Sequence, residues 1–127
     1  MSKASDIRLI VSDVDGVWTD GKIIYAGETR EVKEFNVRDG LGAKLAQRAG
    51  IQVALLTSRS SPALARRARE LGIAELYQGA GNKLEACTQL LEKSGLRFDF
   101  RAVADRDHLH VRGIQVGSRC RQNILGF

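Results

Sequence analysis

Five polar residues stand where they could carry out chemistry on a phosphate ester. Asp13 and Asp15 follow one apolar run, Thr57 and Arg59 follow another, and Lys83 opens a predicted helix. Two carboxylates two residues apart could act as nucleophile and general acid/base beside one divalent cation, which would hold them together against their mutual repulsion. The Thr57 hydroxyl could donate to phosphoryl oxygens, and Lys83 could supply a fixed positive charge.

Each of these residues taken alone has a simpler interpretation. An aspartate after a strand is more often a turn residue or a helix cap, and a lone lysine at a helix start is more often solvated. Their joint occurrence favours a site, because ligands of open α/β sheets bind at the carboxyl ends of the strands. Gly16 would let the backbone pass close to such a ligand.

The elements that would position these residues alternate between strands and helices. Short β-branched or apolar runs predict four strands, at residues 7–12, 52–56, 76–77 and 101–104. Strands that alternate with helices form βαβ units, so we predict an α/β fold in which helices sandwich a parallel sheet. A single domain is expected to cover residues 1–127, with residues 101–127 divergent or truncated.

Three helices are predicted between these strands, over residues 40–49, 61–71 and 82–94. Ser61 and Asn82 are expected to cap the second and third helices, and glycines to end all three. In the first helix, Leu41, Leu45 and Ala49 are expected to share one face.

A hairpin is predicted between the first two strands, because residues 22–25 and 31–35 flank a Gly27-Glu28 turn. It has more apolar surface than an isolated two-stranded ribbon can cover. We therefore expect hairpins from several copies to pack into a cyclic homo-oligomer, the alternative being that the hairpin folds back on its own sheet. The apolar residues are Ile23, Ile24, Tyr25, Val32 and Phe35.

The overall composition argues against several classes of protein. The chain has 127 residues, 43% of them hydrophobic and 28% charged, which is typical of a globular domain rather than a disordered or fibrous one. No apolar run approaches the roughly 20 residues that span a bilayer, and no signal peptide is visible, so no membrane partner is expected. Cys87 and Cys120 lack metal-ligand spacing, which favours a reduced, cytoplasmic protein.

The net charge of +5 is a weak indication of nucleic-acid binding. Much of the excess positive charge falls after residue 96. The remaining basic cluster, Arg66, Arg67 and Arg69, has the pattern of a solvated helix face and is not interleaved with aromatic residues. We therefore expect no nucleic-acid partner.

Four segments together resemble one branch of a known family. The segment DVDGVWTDG at residues 13–21 resembles the first motif of the haloacid dehalogenase superfamily of phosphatases. More narrowly, it is similar to the small, capless branch that contains 3-deoxy-D-manno-octulosonate 8-phosphate phosphatase. Supporting segments are FNVRDG at 35–40, LTSRS at 56–60, and LYQG at 76–79 leading to Lys83.

This resemblance implies roles for individual residues. Asp13 would be the nucleophile that forms an aspartyl-phosphate, and Asp15 the general acid/base, with its backbone carbonyl on the metal. Thr57 would bind the phosphoryl group, and Lys83 would stabilise Asp13 and the phosphate. The residues expected near the sugar-acid end are Arg38, Asp39 and Arg59.

The metal-binding segment departs from the family pattern. The family has a GDD-type motif after the next strand, whose first aspartate binds the metal, whereas residues 102–108 here read AVADRDH. Alignment without gaps places Arg106 at the position of the metal-binding aspartate and Asp107 at the next position. A shift of one residue instead places Asp105 there, at the end of the strand, and the geometry of the site favours this second alignment. His108 and His110 are expected to be solvated loop residues rather than metal ligands.

Residues 105–127 show no clean helix or strand period. Either a natural shortened variant or a shifted reading frame would explain this, and the abrupt loss of pattern favours the second. We expect a Mg²⁺-dependent phosphatase of a phosphorylated sugar acid, most simply 3-deoxy-D-manno-octulosonate 8-phosphate, assembled as a homotetramer as this branch implies. The alternatives are a phosphatase of another sugar acid, such as a nonulosonate 9-phosphate, and a catalytically silent domain that only assembles.

Overall fold

The computed structural model describes residues 7–96, 102–105 and 108–111. This part of the chain forms seven strands and three helices. In chain order they are β1 (Leu9–Ser12), β2 (Ile24–Tyr25), β3 (Glu31–Val32), α1 (Val37–Arg48), β4 (Gln52–Leu56), α2 (Pro62–Leu71), β5 (Glu75–Tyr77), α3 (Lys83–Ser94), β6 (Ala102–Asp105) and β7 (His108–Val111).

Five of the strands form one sheet in the order β5-β4-β1-β6-β7, with β1 at its centre. The first four run parallel and β7 is antiparallel to β6. In this register Val11 lies between Ala54 of β4 and Val103 of β6. The carboxyl ends of β1, β4 and β6 therefore meet at one edge of the sheet, and the predicted α/β architecture is confirmed.

Apolar side chains cover both faces of the sheet, because successive residues of a strand point to opposite sides. On β4, Val53 and Leu55 belong to one buried cluster and Ala54 and Leu56 to the other. Helices α1 and α2 pack on the first face and α3 on the second, so the sheet is sandwiched between them. The helices contribute Ala43, Leu64, Ala68 and Leu71 to the first cluster and Cys87, Leu90 and Leu91 to the second.

Helices α2 and α3 begin and end where the sequence predicts. The side chains of Ser61 and Asn82 each accept a hydrogen bond from a backbone N–H three residues on, and Pro62 occupies the first position of α2. Gly72 and Gly95 end the two helices in the left-handed region, at φ of 67° and 64°. Among the described helices, none is long and apolar enough to cross a membrane.

Helix α1 begins at Val37, three residues earlier than predicted. The Asn36 side chain caps it by accepting a hydrogen bond from the backbone N–H of Arg38 at 2.9 Å. Gly40 therefore lies inside the first turns of the helix instead of at its start. The capping signal was present in the sequence at Asn36, since asparagine is among the preferred N-cap residues.

The expected apolar face of α1 is wrong. Leu41 and Leu45 are exposed over 59% and 54% of their surface, and the buried residues are Gly40 and Ala43. A Cβ atom at Gly40 would lie 3.1 Å from Cδ2 of Leu71 and would also meet the Arg67 guanidinium, so side chains of α2 pack directly on the backbone of α1 there. Small residues permit that approach, and the larger leucines are therefore left on the outer side.

The predicted hairpin is present, with strands of only two residues each. Gly27 adopts a φ of 78° in the turn that joins them. Ile23 and Tyr25 are exposed over 52% and 71% of their surface, and Val32 is also exposed. Phe35, in contrast, packs against the first core cluster, so it is not part of the apolar surface that the hairpin presents.

A strand follows residue 105, in a segment whose sequence shows no clean period. Strand β6 ends at Asp105 rather than Ala104, and β7 returns antiparallel to it, with His110 opposite Val103. His108 and His110 thus lie in a strand and not in a loop. A strand at the edge of a sheet forms mainly because its neighbour offers unpaired backbone groups, and a weak side-chain pattern is enough.

Candidate active site

The predicted nucleophile, Asp13, lies just past the carboxyl end of β1 and is held by two donors. Lys83 Nζ lies 3.1 Å from its Oδ2, and the backbone N–H of Val14 donates to Oδ1 at 2.7 Å. Lys83 is the first residue of α3, so the start of this helix supplies the ammonium group that pairs with the carboxylate. The Asp13 and Lys83 side chains are 27% and 13% exposed, which leaves Asp13 accessible to a ligand.

Asp15 lies beside Asp13 and both of its carboxylate oxygens are engaged. Lys33 Nζ lies 2.5 Å from Oδ1, and the Thr57 hydroxyl is 3.4 Å from Oδ2. Thr57 follows β4 and is almost fully buried. Its hydroxyl also accepts a hydrogen bond from the backbone N–H of Arg59, so it is fixed between the loop after β4 and the aspartate.

The segment between Asp15 and the hairpin is a compact turn. The backbone N–H groups of residues 17, 18 and 19 all converge on the carbonyl oxygen of Val14. The Thr19 hydroxyl accepts from the N–H groups of Gly16 and Gly21 at 3.2 Å each. Both glycines have a φ of 83°, a conformation that other residues rarely adopt, so this turn requires glycine at both positions.

A buried hydrogen bond fixes this turn to β1. The indole N–H of Trp18 donates to the Ser12 hydroxyl at 2.9 Å, and that hydroxyl donates to the backbone carbonyl of Asp13 at 2.8 Å. Ser12 and Trp18 are 3% and 9% exposed. Because both partners lie in the core, the pair ties the residue before the nucleophile to the turn after it.

The second strand of the hairpin adds charged residues to the site. Lys33 bridges Asp15 and Glu31, the latter at 3.0 Å, and Glu31 is also paired with the guanidinium of Arg59. Burial lowers the pKa of Lys33, but the hydrogen bonds to Asp15 and Glu31 outweigh it, so its net pKa is raised. Hydrogen bonds from Lys33 and then Arg59 lower the pKa of Glu31. Lys33 and Glu31 were not identified from the sequence.

The residues expected at the sugar-acid end fall into two places. Arg59 stands at the edge of the site, with its side chain 43% exposed and paired with Glu31. Arg38 and Asp39 are exposed in the first turn of α1. Within residues 7–96, no hydrogen bond or ion pair joins either of these two side chains to Asp13 or Asp15.

The third expected metal ligand, Asp105, is the last residue of β6. Ser12 pairs with Ala104 in the parallel register, so the backbone of Asp105 continues level with Asp13 at the same edge of the sheet. Arg106 and Asp107 lie outside the described residues.

The donor set at this edge suits a hard divalent cation. Asp13 and Asp15 offer carboxylate and carbonyl oxygens, which are the ligands that Mg²⁺ prefers. No three His, Cys, Asp or Glu side chains come together as a complete ligand group in the described portion. A hexacoordinate ion here would therefore need water, substrate oxygens or a further residue such as Asp105.

Comparison with known proteins finds relatives that carry the same name. The chain is 48% identical over 93 residues to the 3-deoxy-D-manno-octulosonate 8-phosphate phosphatase KdsC of Salmonella typhi, covering 73% of this chain and 50% of the relative. It is 44% identical over 109 residues to the Haemophilus influenzae enzyme, covering 86% of this chain and 61% of that protein. The chain thus spans about half the length of the curated relatives it matches. No protein-family model matches the sequence.

Solved structures show the same likeness in three dimensions. The phosphatase of that name from Moraxella catarrhalis, crystallised with magnesium, phosphate and KDO, superposes with a TM-score of 0.75 at 44% identity, over 79% of this chain and 57% of the other. A putative one from Vibrio cholerae gives a TM-score of 0.78 at 35% identity, over 84% and 59% of the two chains. By sequence and by fold, the chain is similar to proteins named as 3-deoxy-D-manno-octulosonate 8-phosphate phosphatases, and it superposes with a TM-score of 0.75 at 38% identity on a Legionella pneumophila protein named as a HAD superfamily hydrolase, over 79% of this chain and 55% of the other.

Proposed function

We propose that the protein is a Mg²⁺-dependent phosphatase of a phosphorylated sugar acid, with 3-deoxy-D-manno-octulosonate 8-phosphate as the substrate its relatives indicate. One observation carries the proposal. Asp13 and Asp15 stand at one sheet edge, the first held by Lys83 and the second by Thr57, in a chain that is 48% identical to an enzyme of that name. A nucleophile, a second carboxylate and a fixed cation are the groups that phosphoryl transfer through a covalent intermediate requires.

The reaction would proceed in two displacements. An Asp13 carboxylate oxygen attacks phosphorus while the bond from phosphorus to the sugar oxygen breaks, and protonated Asp15 gives its proton to the departing alkoxide. Asp15, now a carboxylate, removes a proton from a water molecule, which attacks the aspartyl-phosphate and releases inorganic phosphate. Lys83 and the Thr57 hydroxyl stabilise the charge on the phosphoryl oxygens in both steps.

The metal would be held by the Asp13 carboxylate, the Asp15 carbonyl and Asp105. Bound there, Mg²⁺ would neutralise phosphoryl charge and reduce the repulsion between two neighbouring carboxylates. The Moraxella relative was crystallised with magnesium, and a Haemophilus influenzae relative, 41% identical, in a cobalt-bound form. Both are hard or borderline divalent ions that oxygen ligands accept.

We assign Arg59 to the carboxylate of the sugar acid, because its side chain is partly exposed at the edge of the site and a guanidinium binds carboxylates well. Arg38 and Asp39 stay candidates for the same end of the substrate, since both are exposed at the start of α1. We also infer a cytoplasmic location, because Cys87 and Cys120 lack metal-ligand spacing, which favours a reduced protein.

The test is a phosphatase assay on wild type and Asp13→Asn, with and without Mg²⁺. We expect release of phosphate by the wild type with Mg²⁺ only, and none by Asp13→Asn. Comparison of 3-deoxy-D-manno-octulosonate 8-phosphate with a nonulosonate 9-phosphate identifies the preferred sugar acid. Equal, metal-independent hydrolysis by both proteins would contradict the proposal, and a wild type inactive on every ester would favour a domain that only assembles.

We also propose that the protein is a homotetramer built through the hairpins. Ile23, Tyr25 and Val32 are exposed on the hairpin, and α1 presents a second row of exposed apolar side chains at Val37, Leu41 and Leu45. Apolar surface of this extent, contributed by two adjacent segments of the chain, is typical of an interface.

Sedimentation tests the assembly. Wild type should sediment at several times its 13.9 kDa mass, and the Ile23→Asp, Tyr25→Asp double variant should sediment as a monomer. Phe35 is unsuitable for this purpose because it packs on the core. Ala74→Asp, at an exposed position before β5, is the matched control and should assemble as wild type does. A folded, monomeric wild type at micromolar concentration would exclude the proposal.

A further inference from the structure

Lys33 is the most enclosed of the lysines that form ion pairs in the described residues. Its side chain is 4% exposed, against 13% for Lys83, although it stands on a hairpin whose other long side chains reach solvent. A buried ammonium is costly unless it is paired and hydrogen-bonded. Here it is paired twice, with Asp15 at 2.5 Å and Glu31 at 3.0 Å.

The contact with Asp15 fixes the orientation of that carboxylate. The Lys33 ammonium donates to Oδ1 from the hairpin, and the Thr57 hydroxyl donates to Oδ2 from the loop after β4. At 3.4 Å the Thr57 hydrogen bond is long and therefore weak. Without Lys33 the Asp15 side chain would keep only that weak contact, and its χ1 rotation would be less restricted.

We propose, on the basis of the proposed function, that Lys33 is a positioning residue that holds the Asp15 side chain where its carboxyl group, when protonated, can give its proton to the leaving oxygen. Glu31 holds Lys33 from the other side and is itself anchored by Arg59. The hairpin therefore contributes to the chemistry through its second strand, while its exposed residues remain available for assembly. The contact leaves the Asp15 backbone carbonyl unoccupied by any side chain of this cluster.

Leaving-group dependence tests this role. Protonation matters greatly for phenyl phosphate, whose leaving group is a strong base, and little for p-nitrophenyl phosphate, whose leaving group departs readily as an anion. In Lys33→Met, kcat/KM should fall about tenfold further for phenyl phosphate than for p-nitrophenyl phosphate. The parameter kcat/KM is suitable because it reports only the steps up to departure of the leaving group. Loss of folded protein would lower both values equally.

Two variants serve as controls. Lys33→Arg keeps the positive charge, so the ratio of the kcat/KM values for the two esters should be close to that of wild type. Lys22→Met removes a lysine from the same hairpin, but Lys22 is 73% exposed and paired only with Asp20, so both esters should be hydrolysed as by wild type. In Lys33→Met that is folded to the same extent as wild type, an equal loss on both esters, or a gain in rate, would overturn the proposal.

Crystal structures of wild type and Lys33→Met give a readout that needs no activity. We expect Asp15 in the variant to leave the position in which its Oδ2 lies 3.4 Å from the Thr57 hydroxyl. An unchanged Asp15 side chain would refute the positioning role. If Asp15 is displaced in the variant but the wild type itself hydrolyses neither ester, the proposed function is refuted while the contact by which Lys33 holds Asp15 is supported.

Discussion

Removal of the Lys83 ammonium is expected to lower phosphatase turnover about 100-fold. The Nζ atom lies 3.1 Å from Asp13 Oδ2. At that distance two unit charges attract by about 5 kcal/mol at an effective dielectric constant near 20, and desolvation of an ammonium that is only 13% exposed offsets part of this. That attraction holds the ammonium in place before the reaction, whereas the rate depends on what Lys83 adds to the phosphoryl oxygens in the transition state. Loss of one such preorganised donor costs about 2.7 kcal/mol, equivalent to two factors of ten in rate.

The effect on stability should be much smaller than the effect on rate. Asp13 is 27% exposed, so water partly replaces the lost ammonium in the Lys83→Ala variant. We expect the free energy of unfolding to fall by about 1 kcal/mol, which corresponds to about 4 °C in Tm for a domain of this size. A much larger loss would mean that Lys83 is needed for folding rather than for the reaction.

The assay measures steady-state phosphate release at saturating Mg²⁺, together with thermal unfolding of each variant. Lys93→Ala is the matched control, because Lys93 lies on the same helix and forms an ion pair with Glu75 at 2.7 Å, but is 66% exposed. Its turnover should equal that of wild type. Turnover of folded Lys83→Ala within about threefold of wild type would refute the reasoning, since a preorganised charge contributes more than that.

Three further predictions concern other parts of the site. Arg59→Ala should reduce kcat/KM for the sugar acid more than for p-nitrophenyl phosphate, and equal losses would show that Arg59 does not contact the sugar end. Asp105→Ala should weaken Mg²⁺ affinity in a calorimetric titration more than Asp107→Ala, whereas identical titrations for both and wild type would exclude this segment from the metal site. Ser12→Ala leaves the buried indole N–H of Trp18 without its acceptor and should lower the free energy of unfolding by about 1–3 kcal/mol in chemical denaturation, so an unchanged midpoint would contradict it.

Sequence reasoning succeeded where the determinants are local. The limits of α2 and α3 follow from an N-cap side chain at one end and a left-handed glycine at the other, and these signals act within a few residues. The proximity of Asp13 and Lys83 was predictable for a related reason, because carboxyl ends of parallel strands and the helix that follows them meet at one edge.

Sequence reasoning failed where contacts between distant parts of the chain decide which side chains are buried. Which face of α1 is buried depends on the packing of α2 against Gly40, and no period within α1 contains that information, so the exposure of the face with Leu41 could not be predicted. Lys33 was missed because an alternating strand pattern predicts an outward, solvated lysine. Only the fold of the hairpin back toward β1 brings it to Asp15.

The central place of β1 in the sheet has a consequence for the order of folding. Its two neighbours in the sheet, β4 and β6, are synthesised long after it, and the contacts of the site join residues 42 apart at Asp15 and Thr57 and 70 apart at Asp13 and Lys83. Closing such loops costs entropy before any contact repays it, so folding should be slow relative to a helical bundle of equal length. During synthesis, the two aspartates therefore emerge well before Thr57 and Lys83, the residues that later hold them in the site.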